Sequence, residues 1–181
     1  MKWLIASDLH GSAACCEKIL DAYEREGAGK ILMLGDLLYH GARNDLPLRY
    51  DTRETARLLN TAREHILCVR GNCDSEVDQM VLDFPIMAEY AIVYESGHMI
   101  FATHGHRYNS DNLPPIGCGD ILLHGHTHVP ACRENETHIY LNPGSLTIPK
   151  GGSPRSYMTL EDGVFTWKEL DGTVFNTYTL K

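Results

Sequence analysis

The chain has 181 residues, of which 43% are hydrophobic and 22% charged, so it is long enough to bury a core as one domain over residues 1–181. This composition excludes intrinsically disordered and fibrous proteins. The net charge of −8 disfavours binding along the backbone of a long nucleic acid. Ten histidines are uncharged in that count and remain available as metal ligands or proton carriers.

The start of the chain and its cysteines indicate the compartment. Residues 3–6 are apolar, but Ser7, Asp8 and His10 interrupt the run, which is too short for a signal peptide or a membrane span. The six cysteines contain no C-x-x-C pair, and a chain of this length does not need disulfides. The sequence therefore predicts a cytoplasmic protein with reduced thiols and no membrane association.

Short apolar runs alternate with amphipathic stretches in the first half of the chain. The pattern predicts strands over residues 2–6, 31–34 and 66–69 and helices over residues 12–26 and 51–64. This β-α-β-α-β order is typical of a parallel sheet with right-handed crossovers.

Hairpin signals dominate the second half. Residues 88–94 and 99–103 alternate around the turn at 95–97, and Asp-Gly pairs stand at 162–163 and 171–172. They predict a second, mixed or antiparallel sheet. Two mixed sheets packed face to face with helices outside form a four-layer αββα sandwich, an α/β fold.

Candidate metal ligands directly follow five of the apolar runs. They are Asp8, His10, Asp36, Asn72, His104, His126 and His128. Because sites form beyond the carboxyl ends of parallel strands, we expect these side chains to converge.

The ligand types indicate the metal. A mixture of oxygen and imidazole nitrogen suits Mn, Fe, Co, Ni or Zn, whereas Ca and Mg prefer oxygen alone. The set is larger than one ion needs, which favours two ions roughly 3.5 to 4 Å apart that share a carboxylate. Asp36 is the natural bridge.

Five motif blocks resemble, in order, those of the calcineurin-like metallophosphoesterases. They are Asp8-x-His10, Gly35-Asp36, Gly71-Asn72-x-Asp74, His104 and Gly125-His126-x-His128. Longer strings, such as GDLLYHGARN, RGNCDSEVDQM, GHTHVP and NPGSLTIPKGG, are similar to the bacterial YfcE-type phosphodiesterase branch, and the similarity runs from Met1 to Pro154. The resemblance implies the same αββα fold.

The resemblance also implies a dinuclear hydrolase. It assigns one ion to Asp8, His10, Asp36 and His128, and the other to Asp36, Asn72, His104 and His126. A metal-bridging hydroxide would attack the phosphorus of a small organic phosphodiester while Asn72 orients the phosphate. The family favours Mn, whereas affinity order favours Zn or Ni over Mn, and Co, Fe or Mg are further alternatives.

One residue departs from the family pattern. Many members have His in the G-N-x-D block where this chain has Cys73, and a thiol with a pKa of about 8.5 is a poor general acid at neutral pH. We interpret Cys73 as structural. The alternatives are esters with good leaving groups, a metal-bound water, or proton donation by His106 or His40, of which we prefer His106.

Several further residues are expected to contact substrate or to support the ligands. Arg43 lies in a long loop over residues 41–50 and could pair with a phosphate, unless the loop is simply solvated. Ser145 lies in a turn that either supports the site or only reverses the chain. The full set is His40, Arg43, Asn44, Cys73, Asp74 and Ser145.

Three other functions stand beside the diesterase. Hydrolysis of phosphomonoesters would use the same site. The Vps29 subunit of retromer is a scaffold of similar fold with degraded metal positions, whereas this sequence keeps every ligand. A metallo-β-lactamase needs an H-x-H-x-D-H block, which is absent. The sequence leaves open whether the chain forms a homo-oligomer.

Overall fold

The computed structural model describes residues 1–181 and contains eleven strands, which are β1 (Trp3–Ala6), β2 (Lys30–Met33), β3 (Ile66–Cys68), β4 (Tyr90–Glu95), β5 (His98–Thr103), β6 (Ile121–His124), β7 (Ala131–Glu134), β8 (Ile139–Asn142), β9 (Ser156–Glu161), β10 (Val164–Glu169) and β11 (Val174–Thr179). The helices are α1 (Ala13–Glu26), α2 (Thr52–Thr61) and α3 (Glu76–Gln79), and a 3-10 turn covers Arg63–His65. None of the helices is long and apolar enough to cross a membrane.

The strands form two mixed sheets, as predicted. The first has the order β11-β10-β9-β1-β2-β3 and the second β4-β5-β6-β8-β7. Strands β1, β2 and β3 are parallel, which confirms the predicted β-α-β-α-β unit, and β9 joins β1 in antiparallel orientation. The first sheet thus combines strands from both ends of the chain.

Helix boundaries follow the capping residues. Ser12 caps α1 by accepting a hydrogen bond from the amide of Cys15, and Asp51 caps α2 by accepting one from the amide of Glu54. The helix predicted over residues 51–64 is shorter, because α2 ends at Thr61 and a 3-10 turn follows.

The predicted hairpins are present. Ser96 and Gly97 have φ of 50° and 84°, and Asp162 and Gly163 have φ of 50° and 77°. Two successive residues with positive φ match the right-handed twist of the flanking strands. Gly172, with φ of 97°, lies in the turn between β10 and β11.

Two apolar layers enclose the first sheet. The layer between the sheets includes Leu32, Leu123 and Trp167, and the layer under the helices includes Ile19 and Leu59. Burial of these side chains is the main favourable contribution to folding.

The outer face of the second sheet is covered by a loop over residues 104–120. Phe101 of β5 contacts Tyr108 of this loop edge to face, with ring centroids 5.4 Å apart. The sandwich therefore has helices on the first sheet and a loop on the second. Pro114 and Pro115 within that loop disfavour a helix.

Candidate metal centre

All the predicted ligands lie together at the carboxyl ends of β1, β2, β3, β5 and β6. Short contacts link them one to the next. The contacts are Asp8 Oδ1 to His128 Nε2 at 3.2 Å, His10 Nε2 to Asp36 Oδ2 at 3.7 Å, Asp36 Oδ2 to His104 Nε2 at 3.4 Å, His104 Nε2 to Asn72 Oδ1 at 3.1 Å and His104 Nε2 to His126 Nδ1 at 3.2 Å. His10 Nε2 also lies 3.7 Å from Asp8 Oδ1.

The backbone at most of these residues is unusual. Five of the ligands have left-handed φ values, at Asp8 (58°), His10 (50°), Asp36 (57°), His126 (64°) and His128 (61°). Residues other than glycine rarely adopt this conformation, which is strained and concentrates at functional sites. Such strain does not stabilise the fold, so it indicates that these residues have a functional role.

Backbone carbonyls orient three of the imidazoles. Each Nδ1 faces a carbonyl oxygen, with His10 to Tyr39 at 2.8 Å, His104 to Leu34 at 2.6 Å and His128 to Ile148 at 2.6 Å. Because a carbonyl only accepts, Nδ1 carries the proton in the neutral ring and Nε2 presents a lone pair to the centre. This is the usual arrangement around metal-binding histidines.

The resulting inward atoms do not satisfy one another. The Nε2 atoms of His10 and His128 are 3.5 Å apart, and the buried Oδ1 of Asp8 has no hydrogen-bond partner. Two lone pairs and a carboxylate oxygen directed at one point fit a divalent cation.

The electrostatics of the centre are consistent with a cation. Burial alone would lower the pKa of His104, but the carboxylates of Asp36 and Asp8 outweigh it and raise the pKa to about 9. Burial would raise the pKa of Asp8, yet His10, His128 and His104 hold it well below its ordinary value. The site therefore keeps its carboxylates ionised and attracts positive charge.

Asp36 lies between the two halves of the centre. Its Oδ2 approaches both His10 and His104, and its Oδ1 accepts a hydrogen bond from the amide of Cys73 at 2.8 Å. A side chain at Gly71 would overlap this carboxylate, which explains why glycine stands there. Asp36 is thus the carboxylate that approaches candidate ligands of both halves of the centre.

Asp74 supports this arrangement from below. Its buried carboxylate accepts hydrogen bonds from three backbone amides, which are those of Asp36 at 2.8 Å, Leu37 at 2.8 Å and Gly71 at 2.7 Å. It thereby ties the loop after β2 to the loop after β3.

Ser145 also acts on the backbone of the ligands. Its buried Oγ donates to the carbonyl of Asp8 at 3.0 Å and accepts the amide of Ile148 at 2.9 Å. The Ile148 carbonyl in turn accepts a hydrogen bond from Nδ1 of His128. Ser145 therefore connects two ligand-bearing segments.

The two candidate proton donors occupy different surroundings. The ring of His106 lies 5.5 Å from that of His104 and 6.4 Å from that of His126. His40 packs edge to face on Tyr39 and Tyr50, with centroids 4.8 and 5.2 Å away. Nδ1 is buried without a partner in both residues, and burial lowers the pKa of His106.

Cys73 lies beside the centre rather than apart from it. Its Sγ lies within 4.8 Å of ligand atoms of His10 and Asp36 and accepts a hydrogen bond from Asn72 Nδ2 at 3.3 Å. Burial, followed by the charge of Asp36, raises the pKa of the thiol. Cys73 is therefore protonated at neutral pH.

A cavity of about 780 Å³ opens above the centre. Ligands His10, Asp36, Asn72, His126 and His128 line its floor, and its other lining residues include Arg43, Asn44, Arg70, Cys73 and Lys150. Sequence reasoning missed Arg70 and Lys150. The only available signal was that each lies inside a motif string, RGNCDSEVDQM and NPGSLTIPKGG.

Comparisons with known proteins agree with this geometry. The profile of the calcineurin-like phosphoesterase superfamily domain matches residues 1–162. Phosphodiesterase YfcE of Escherichia coli strain K12 is 44% identical over 166 residues, which cover 92% of this chain and 90% of that protein.

Solved structures extend the comparison to the fold. The structure of YfcE, described as a phosphoesterase from E. coli, superposes with a TM-score of 0.96 at 41% identity and covers 100% of both chains. A Vps29 variant from Entamoeba histolytica shares the fold alone, with a TM-score of 0.61 at 24% identity over 100% of both chains. The chain belongs to the calcineurin-like phosphoesterase superfamily.

Proposed function

We propose that this chain is a metal-dependent phosphodiesterase that hydrolyses a small organic phosphodiester. The observation that carries the proposal is the set of Nε2 atoms of His10, His104 and His128, which backbone carbonyls direct at the carboxylates of Asp8 and Asp36. The 44% identity to a protein named phosphodiesterase supports the reaction class.

The donors divide into two groups that share Asp36. One group is Asp8, His10, Asp36 and His128, and the other is Asp36, Asn72, His104 and His126. Two bound divalent cations would activate water and neutralise charge on the phosphoryl oxygens. We propose Mn as the resident metal on the family resemblance, and the mixed oxygen and nitrogen donors also suit Fe, Co, Ni and Zn.

We propose that Asn72 orients the substrate. Its side chain is exposed to the cavity, and its Oδ1 lies 3.1 Å from His104 Nε2 while Nδ2 donates only to the weak acceptor Sγ of Cys73. A phosphate oxygen is a stronger acceptor than a thiol. Asn72 Nδ2 can therefore exchange the thiol for the phosphate and align it.

For protonation of the leaving group we prefer His106. Its ring lies 5.5 Å from that of the candidate ligand His104 and 6.4 Å from that of His126, whereas the ring of His40 packs against Tyr39 and Tyr50. An anionic substrate beside His106 would raise its pKa and make it a better donor.

Two broader assignments accompany this proposal. We place the protein in the cytoplasm, since all six cysteines are unpaired and thiols persist in reducing compartments. We treat the chain as one domain, because the first sheet combines its two ends.

Metal reconstitution tests the proposal. Metal-stripped protein is assayed on bis(p-nitrophenyl) phosphate and on p-nitrophenyl phosphate, with Mn, Ni, Co, Zn and Mg restored in turn. We expect Mn to restore turnover of the diester. Faster turnover of the monoester would make the chain a phosphomonoesterase, and no restored turnover on either would leave the Vps29-like scaffold.

A further inference from the structure

Two cationic side chains in the cavity have no polar partner, whereas the third, Arg70, donates its Nε to the carbonyl of Asp74 at 3.3 Å. Arg43 and Lys150 both line the cavity above the metal centre, and neither side chain forms an ion pair or a hydrogen bond with another residue. In a chain with a net charge of −8, unpaired cations facing one cavity indicate an external anion.

The carboxylates of the cavity cannot neutralise these cations. Asp36 contacts His10 and His104 and accepts the amide of Cys73. Asp74 accepts three backbone amides. Both groups are engaged in building the centre.

Hydrogen bonds fix the backbone at Arg43 and Lys150. The amide of Lys150 donates to the carbonyl of the ligand His128 at 3.0 Å, and Ser153 Oγ donates to the Lys150 carbonyl at 2.7 Å. On the other wall, Asn44 closes a turn around Arg43 by donating its Nδ2 to the carbonyl of His40 at 2.8 Å. The long side chains therefore extend from ordered positions next to the centre.

We propose that the substrate carries a phosphate monoester in addition to the scissile diester, and that Arg43 and Lys150 bind this second phosphate. The inference rests on the proposed phosphodiesterase function. A diester has one negative charge, which the metal centre would already attract, whereas a phosphate monoester adds a charge of about −1.5 to −2. A cavity of about 780 Å³ has room for the second group.

Two chromogenic diesters that differ only in the second phosphate test the inference. They are thymidine 5′-(p-nitrophenyl phosphate) and its 3′-phosphorylated form, assayed with Mn-reconstituted protein. We expect kcat/KM to be about tenfold higher for the phosphorylated probe, mostly through KM, because two rim ion pairs each contribute a few-fold. The preference should weaken as salt is raised.

Charge-neutral variants assign the effect to the two residues. The R43Q/K150Q double variant should reduce the preference to less than about twofold, and each single variant to about threefold. Lys18→Gln is the matched control, because Lys18 is an exposed cation of α1 outside the cavity, and it should keep the tenfold preference. If the double variant does not fold, the preference measured for each single variant tests the assignment.

The outcomes separate the inference from the proposed function. Equal kcat/KM of the wild-type protein on both probes overturns the inference and leaves the diesterase intact. Equal slowing of both probes by the double variant also overturns it, because the cations would then bind the scissile phosphate. If neither probe is hydrolysed, the diesterase proposal fails, and calorimetric affinities for thymidine 3′,5′-bisphosphate and thymidine 5′-monophosphate decide whether the second-phosphate site exists.

Discussion

The carboxylate of Asp74 accepts a hydrogen bond from the backbone amide of Asp36 at 2.8 Å. Asp74 thus positions a candidate ligand without being one. We expect Asp74→Asn to weaken Mn binding about 10- to 100-fold, because outer partners of metal ligands have effects of this size, while secondary structure persists. Titration calorimetry on the metal-free protein measures the loss. Asp21→Asn, at an exposed position of α1, is the control, and equal affinities of the two variants would contradict the positioning role.

Asp36→Asn should abolish turnover. The substitution removes the charge that both halves of the centre share, so we expect a loss of more than about 10³-fold in kcat/KM. Metal content by atomic emission should fall below that of the wild-type protein, and circular dichroism should show an unchanged fold. Full turnover by a folded variant would refute the shared-carboxylate assignment.

Cys73→Ser should lower kcat by less than about tenfold. The thiol is protonated because its pKa is raised, and a hydroxyl can still accept the hydrogen bond from Asn72 Nδ2. Steady-state kinetics on bis(p-nitrophenyl) phosphate compares the variant with Asp36→Asn. A loss as severe as that of Asp36→Asn would show that the thiol is the proton donor.

Metal affinity should depend on pH below about 9. Carboxylates raise the pKa of His104 to about 9 although burial opposes them, so the metal-free ring holds a proton that metal binding must displace. Affinity for Mn should therefore fall by up to about tenfold for each unit that pH decreases from 9. Calorimetry in buffers of different ionisation enthalpy measures the released proton. A constant affinity between pH 6 and 8 would rule out this linkage.

Glu26→Gln should destabilise the fold at neutral pH. The Glu26 carboxylate receives hydrogen bonds from Lys168 at 2.6 Å and Tyr157 at 2.8 Å, and these contacts, together with Lys2, lower its pKa although burial raises it. The contribution, about 1 to 2 kcal/mol, is present above the unfolded pKa of 4.5 and is lost as pH falls through the lower folded value. Urea unfolding at pH 7 and pH 3 measures it. Glu24→Gln, at an exposed position of the same helix, should show no such difference.

Local pattern was sufficient for most of the centre. Strands such as β1 and β6 are largely apolar runs, and Asp8 and His126 each follow two residues after the strand ends, so hydrophobicity indicated both positions. Parallel pairing then required the run ends to meet at one edge of each sheet.

Contacts between residues far apart in the chain could not be predicted from the sequence. Lys150 lines the cavity, and its amide donates to the carbonyl of His128, a contact that periodicity does not encode. The left-handed backbone of the ligands had no sequence signal, and the turn at Ser145 left open whether that residue supports the site.

The left-handed backbone at Asp8, His10, Asp36, His126 and His128 links metal supply to the lifetime of the protein. Each such residue costs on the order of 1 kcal/mol or more. The strain therefore lowers the free energy of unfolding of the metal-free chain. A cation that binds only the folded state stabilises it and offsets this strain. Scarcity of the metal would therefore shorten the life of the chain in the cell as well as stop its turnover.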